Sequence, residues 1–190
     1  MGNATPGCKI IILGCPGSGK STLAKSLQIQ TGLPLIHLDK VWWKPDRTHI
    51  SREEFDRRLQ ALLQGDKWIL DGDFSRTYEP RFQACDTVVF LDYSEEECMK
   101  GIVNRIGEPR GDIPWSENRL DPELVAQVRS YRSKNRPMLY ALMEKYPDRQ
   151  VLIFRTRAEA QDWLASLRDE ASREPIGESE CGSRTEEAGC

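Results

Sequence analysis

Residues 14–22 read Gly-Cys-Pro-Gly-Ser-Gly-Lys-Ser-Thr, and they directly follow the apolar run Lys-Ile-Ile-Ile-Leu. Gly14, Gly19, Lys20 and Ser21 complete the pattern G-x-x-x-x-G-K-[ST], with Gly17 as a further glycine inside it. Glycines let backbone N–H groups turn inward with no Cβ in the way, which makes a concave nest for anions. A helix that starts at the end of such a loop adds its N-terminal amides and dipole to the same point. Lys20 can reach the β- and γ-phosphates, and the Ser21 hydroxyl can bind Mg²⁺. A glycine-rich turn that binds nothing shares the glycines alone. Here an apolar strand precedes the loop and an amphipathic helix follows it. Gly14, Pro16, Gly17, Ser18, Gly19, Lys20, Ser21 and Thr22 are therefore the candidate nucleotide-binding residues, with ATP and Mg²⁺ as the implied ligands.

Phosphoryl transfer asks for positioning and charge neutralisation: an acid near the metal, cations around the γ-phosphate and a place for the acceptor. An aspartate ends each of three apolar runs: Asp39, Asp71 and Asp92. A lone Asp after a strand is ordinarily a turn or a helix cap. Three at one rim beside a phosphate loop imply that at least two serve the site.

The elements that must hold these residues alternate β-rich and helical runs, which predicts a parallel sheet covered by helices. Strands are expected over 9–13, 35–38, 68–70, 87–91 and 151–154, and helices over 20–31, 52–64, 95–106, 122–146 and 158–171. Gly32 and Pro34 should stop the first helix, and Ser51 with Glu54 forms a capping box for the second. Pro137 should kink or divide the fourth. The fold class is α/β, a P-loop three-layer sandwich with a five-stranded parallel sheet. Segments 39–50 and 107–121 fit neither period and lie on the ligand side of the sheet.

A chain of 190 residues suits one domain. The domain is expected to occupy 1–171. Residues 172–190 carry five acids and two bases with one large apolar residue, Ile176, and are expected to be a disordered acidic tail. The remainder carries 25 charges of each sign, a poor footprint for duplex DNA, so no direct nucleic-acid partner is expected. No run approaches a membrane span and no signal core is visible. Six cysteines without a C-x-x-C pair indicate a reduced, cytoplasmic setting. Two histidines, His37 and His49, have no Cys or acid at ligand spacing, which speaks against zinc.

Residues 69–77, Ile-Leu-Asp-Gly-Asp-Phe-Ser-Arg-Thr, resemble the adenylate kinase stretch Leu-Asp-Gly-Phe-Pro-Arg-Thr with one residue inserted. That resemblance implies a nucleoside-monophosphate-kinase-like fold, with Asp71 as the Mg²⁺ residue beside Ser21 and Arg76 holding the acceptor phosphate. It also implies an acceptor-side segment over about 39–66. A short arginine-bearing lid over about 107–121 would bring Arg105 and Arg110 to the triphosphate. A wider succession covers nearly the whole body: His37-Leu-Asp-Lys-Val-Trp-Trp-Lys-Pro45, Glu54-Phe55, the 68–77 stretch, Asp86-Thr-Val-Val-Phe-Leu-Asp92, and Arg132 with Arg136-Pro137. It is similar to the DNA topology modulation proteins, adenylate-kinase-like P-loop proteins, in which Arg132 and Arg136 match recurrent arginines. Trp42 stands where adenylate kinases place an AMP-binding arginine. Shikimate-kinase-like enzymes use Asp-x-Asp at this strand end; here His37 takes the first position and only Asp39 matches, so Asp39 would position a hydroxyl or nucleotide acceptor. Trp42, Trp43 and Lys44 either form that acceptor pocket or anchor the loop to the core.

The expected activity is Mg-ATP-dependent transfer of the γ-phosphoryl group to a small acceptor, with Lys20, Asp39, Arg76, Arg105, Arg110, Arg132 and Arg136 as catalytic candidates. The alternative is an ATP-binding regulatory protein that acts through a partner, with an indirect effect on DNA topology.

Overall fold

The computed structural model describes residues 5–108, 111–113 and 118–171. Five strands, β1 Lys9–Gly14, β2 Leu35–His37, β3 Trp68–Asp71, β4 Thr87–Leu91 and β5 Gln150–Phe154, form one parallel sheet in the order β2-β3-β1-β4-β5. Ile10, Ile11, Ile12 and Leu13 of β1 are fully buried, because that strand has a neighbour on each edge and helices over both faces. The parallel register sets Ile12 opposite Asp71, and Asp71 opposite His37. The carboxyl ends of β2, β3 and β1 thus gather His37, Asp71 and the glycine loop at one rim.

Seven α-helices cover the sheet: α1 Lys20–Thr31, α2 Leu38–Trp42, α3 Arg52–Leu63, α4 Tyr78–Ala84, α5 Glu95–Asn104, α6 Pro122–Lys145 and α7 Arg157–Ala171. Their starts follow local chemistry. Ser51 Oγ accepts from the Glu54 amide at 3.1 Å, Ser94 Oγ from the Glu97 amide at 3.2 Å, and an Asp121 carboxylate oxygen from the Glu123 amide at 2.8 Å. Gly32, at φ 69°, closes α1 by donating its N–H to Gln28 O.

Two expectations are corrected. Segment 39–50 is not irregular throughout. Its first residues continue α2, and the rest folds back so that Trp43 bridges His49 and the Ile50 amide reaches Trp42 O. Of the two outcomes expected at Pro137, a kink or a division, division is excluded, since α6 is one helix of 24 residues. Buried Val128 and Tyr131 before the proline, and Leu139 and Leu142 after it, tie both halves to the same core and offset the lost hydrogen bond. Among the described cysteines, Cys15, Cys85 and Cys98 are free and buried. No helix among the described residues is long and apolar enough to cross a membrane. The expected tail, 172–190, and Arg110 lie outside the described residues.

Candidate active site

The loop between β1 and α1 takes the backbone shape its glycines allow. Gly17 and Gly19 have φ of 82° and 92°, a region in which a side chain would be strained. Room is equally restrictive at Gly17, where a Cβ would come within 2.0 Å of Cys98 O on α5. Lys20 Nζ donates back to Cys15 O at 3.1 Å, so the ammonium arches over the loop that it would share with phosphate. Ser18 Oγ is buried without a hydrogen-bond partner. The Cys15 side chain faces away, into the core. A hydrogen bond with the Cys98 thiol, together with burial, pushes the Cys15 thiol well above its ordinary value, which keeps it protonated and unreactive.

Arg157, the first residue of α7, holds the loop from outside. Its guanidinium donates to Gly17 O at 2.9 Å, Ser18 O at 3.1 Å and Glu97 O at 3.3 Å. These bonds satisfy carbonyls that would otherwise point away from the anion nest, and they leave the N–H groups for a ligand.

The loop opens onto a cavity of about 1800 Å³. Pro16, Gly17, Gly19, Lys20, Ser21 and Thr22 line it, and so do Asp39, Trp42 and Trp43. Arg105, at the end of α5, lines it as well. Trp42 both packs and faces the cavity. Its ring stacks on His49 at 4.4 Å and 10°, and meets Phe55 edge-on at 5.4 Å.

Several expected residues are placed elsewhere. Arg76 forms a two-pronged pair with Asp56 of α3 at 2.6 and 2.7 Å and does not line the cavity. Arg136 pairs in the same way with Asp92 at 2.7 and 2.9 Å, and Arg155 joins at 3.0 Å. Burial works against the charge on Asp92, but the hydrogen bonds from Arg136 and Tyr140 prevail and hold its carboxyl below the usual range. Arg132 is exposed on α6 and does not line the cavity. Asp71, 1% exposed, accepts from His37 Nδ1 at 2.7 Å through Oδ2, while its Oδ1 has no hydrogen-bond partner.

Sequence reasoning missed three residues that shape the site. Asp73 lines the cavity and accepts from Tyr78 at 2.8 Å, Tyr131 at 3.0 Å and Asn135 at 3.1 Å, with the Gly14 amide at a longer 3.5 Å. The Asp-Gly-Asp spelling was visible, but its partners on α4 and α6 are distant in sequence. Arg81 is fully buried and donates to Gly72 O at 2.7 Å, Asp73 O at 3.0 Å, Phe74 O at 3.3 Å and Thr77 O at 3.2 Å, which moulds the turn that carries Asp73. Asp112 accepts from Ser21 Oγ at 2.9 Å and is only 5% exposed.

No family model matches the chain, and no curated protein matches it. The likeness to the DNA topology modulation proteins therefore stays a reading of the residues. Solved structures do match. A shikimate kinase from Bacteroides thetaiotaomicron superposes with a TM-score of 0.55 at 17% identity, over 86% of this chain and 97% of that one. A shikimate kinase from Acinetobacter baumannii, solved in complex with shikimate, gives 0.54 at 15% identity, over 90% and 96%. At such identities the likeness is one of fold. The chain has the α/β P-loop fold of the shikimate and nucleoside monophosphate kinases, with the glycine loop at the carboxyl end of the central strand of a five-stranded parallel sheet.

Proposed function

We propose that the protein is a Mg-ATP-dependent phosphotransferase that moves the γ-phosphoryl group to a small acceptor, a nucleotide or a hydroxyl compound. The observation that carries this reading is the single cavity that joins the phosphate loop to Asp39 and the two indoles. A volume of about 1800 Å³ exceeds the few hundred to roughly 1,000 Å³ typical of one ligand, so it has room for a donor and an acceptor together.

The N–H groups of the glycine loop and the first turn of α1 bind the β- and γ-phosphates. Lys20, released from Cys15 O, follows the charge that develops on the transferred group. Arg105, at the cavity wall, adds a second cation, and Arg157 keeps the loop in its binding shape. Mg²⁺ fits this donor set. Ser21 offers a hard hydroxyl oxygen at the cavity, whereas Asp71, the acid expected beside it, keeps an unpartnered Oδ1 but does not line the cavity. When bound, the cation supplies neutralisation of the phosphate oxygens. Among the described residues no three His, Cys, Asp or Glu side chains form a metal cluster, and phosphate and water oxygens would have to complete the shell of a bound cation. Asp39 orients the acceptor, whose ring lies against Trp42 or Trp43.

The test is ADP formation from Mg-ATP with panels of nucleoside monophosphates, nucleosides and sugar acids. At least one class should stimulate turnover well above the acceptor-free rate. Turnover that ignores every class overturns the reading.

A further inference from the structure

The Ser21 hydroxyl, the group assigned to the metal, is not idle in the structure. It donates to a carboxylate 91 residues away, Asp112 Oδ2, at 2.9 Å. Asp112 is 5% exposed, yet it lines the same cavity as Ser21, Lys20 and Thr22. The backbone beside it lies next to the Lys25 side chain of α1, whose Nζ a Cβ on Gly111 would meet at 2.6 Å. A negative charge therefore stands at the mouth of the anion nest, beside the place where a triphosphate puts its own negative oxygens.

Like charges so close in a partly buried site repel strongly unless something lies between them. A hydroxyl and a carboxylate in contact at the cavity are the hard donors that a small divalent cation prefers. Asp71 is less available, because its Oδ2 is held by His37 and it does not line the cavity. We infer that Asp112 is a metal-binding carboxylate of the nucleotide site, which joins Ser21 in holding the divalent cation and makes nucleotide binding dependent on it. The inference rests on the phosphotransferase reading above only as far as triphosphate binding at the loop.

In the structure Ser21 Oγ–H donates to Asp112. With a divalent cation bound, the hydroxyl oxygen and the Asp112 carboxylate would both turn to it, and the hydroxyl proton would pass to another acceptor. The charge at Asp112 then opposes metal-free triphosphate and favours the metal complex. This predicts opposite signs for one substitution under two conditions.

The experiment is calorimetric binding of a non-hydrolysable ATP analogue to the full chain, in Mg²⁺ and again in EDTA, for wild type, Asp112→Asn, Asp71→Asn and Ser21→Ala. Loss of a ligand that orients a metal typically costs tenfold or more. Asp112→Asn should weaken binding about tenfold in Mg²⁺ and strengthen it several-fold in EDTA, and Ser21→Ala should remove most of the Mg²⁺ effect. Mn²⁺ paramagnetic resonance in the presence of the analogue gives a second readout, in which Asp112→Asn should lower Mn²⁺ affinity at unchanged circular dichroism. Tighter binding in both media would mean that Asp112 is only a plug displaced by nucleotide, and equal binding in both would mean that it is a bystander; either result overturns the inference. Retained Mn²⁺ affinity in Asp112→Asn, with a loss in Asp71→Asn, also overturns it in favour of Asp71. If wild type binds no analogue in either medium, the phosphotransferase reading fails as well, and the two failures are told apart.

Discussion

Gly101 of α5 lies against Gly17 of the phosphate loop so closely that a Cβ on Gly101 would stand 1.9 Å from Gly17 O. The reciprocal Cβ on Gly17 would stand 2.0 Å from Cys98 O. The obstacles are backbone atoms of two elements, so neither can swing aside as a flexible side chain could. Two glycines 84 residues apart thus let one turn of α5 form the back wall of the loop.

Gly101→Ala should accordingly damage the loop more than the helix. Overpacking of this kind costs about 1–3 kcal/mol, while alanine improves helix propensity by up to about 1 kcal/mol. The net expectation is a modest fall in stability together with a large loss of nucleotide-dependent stabilisation. Thermal unfolding with and without Mg-ATP separates the two effects. A full nucleotide-induced rise in Tm for the variant would show that the loop does not need this wall.

Lys20→Ala removes a cation that acts mainly on charge developed in the transition state. It should lower kcat by at least two orders of magnitude, with a much smaller change in the KM for ATP. Steady-state kinetics with the best acceptor from the panel checks this. A variant that loses affinity alone, at unchanged kcat, would place Lys20 in ground-state binding only.

Much of this arrangement was legible in the sequence, for physical reasons. The buried strands are continuous apolar runs, so β1 and β4 announce themselves, and β4 spans the expected 87–91. The loop motif is local, since its glycines, lysine and serine act within nine residues. What escaped was short or long-range. α2 and α4, five and seven residues long, have no side-chain N-cap and are held by tertiary contacts instead. Arg76 and Arg136 lie in motifs that resemble kinase sites, but Asp56 and Asp92, which claim them here, are 20 and 44 residues away. Asp112 is one acid within the charge-rich stretch 105–136, and only the fold brings it to Ser21.

The Asp92–Arg136 pair predicts a pH dependence. The folded carboxyl sits below its ordinary value, so the pair contributes stability above the unfolded pKa of about 3.9 and loses it as pH falls through the folded value. Asp92 is 7% exposed while the Arg136 side chain is 28% exposed, which places the cost of Asp92→Asn at about 2–3 kcal/mol, under the range for a fully buried pair. Denaturant unfolding should show that deficit at pH 7 and a shrinking one below about pH 4. A difference that stays constant down to pH 2 would mean that shape, not charge, is what Asp92 supplies.

Arg81 is where stability and the site meet. Burial pulls its guanidinium down from the ordinary value, and the neighbouring Asp73 carboxylate opposes that pull. Arg81→Met fills much of the volume but takes the guanidinium donors from the carbonyls of Gly72 and Asp73, while Phe74 O keeps the Thr77 amide and hydroxyl. At about 1–3 kcal/mol for each buried group left unsatisfied, the loss should be at least about 2 kcal/mol. The turn carries Asp73, whose carboxylate ties Tyr78 to Tyr131 and Asn135 at the cavity wall. Hydrogen exchange should therefore show lost protection in 72–78 and in the middle of α6 before the sheet loosens. If protection falls uniformly across the fold, the turn is no separate unit and Arg81 acts through global stability alone.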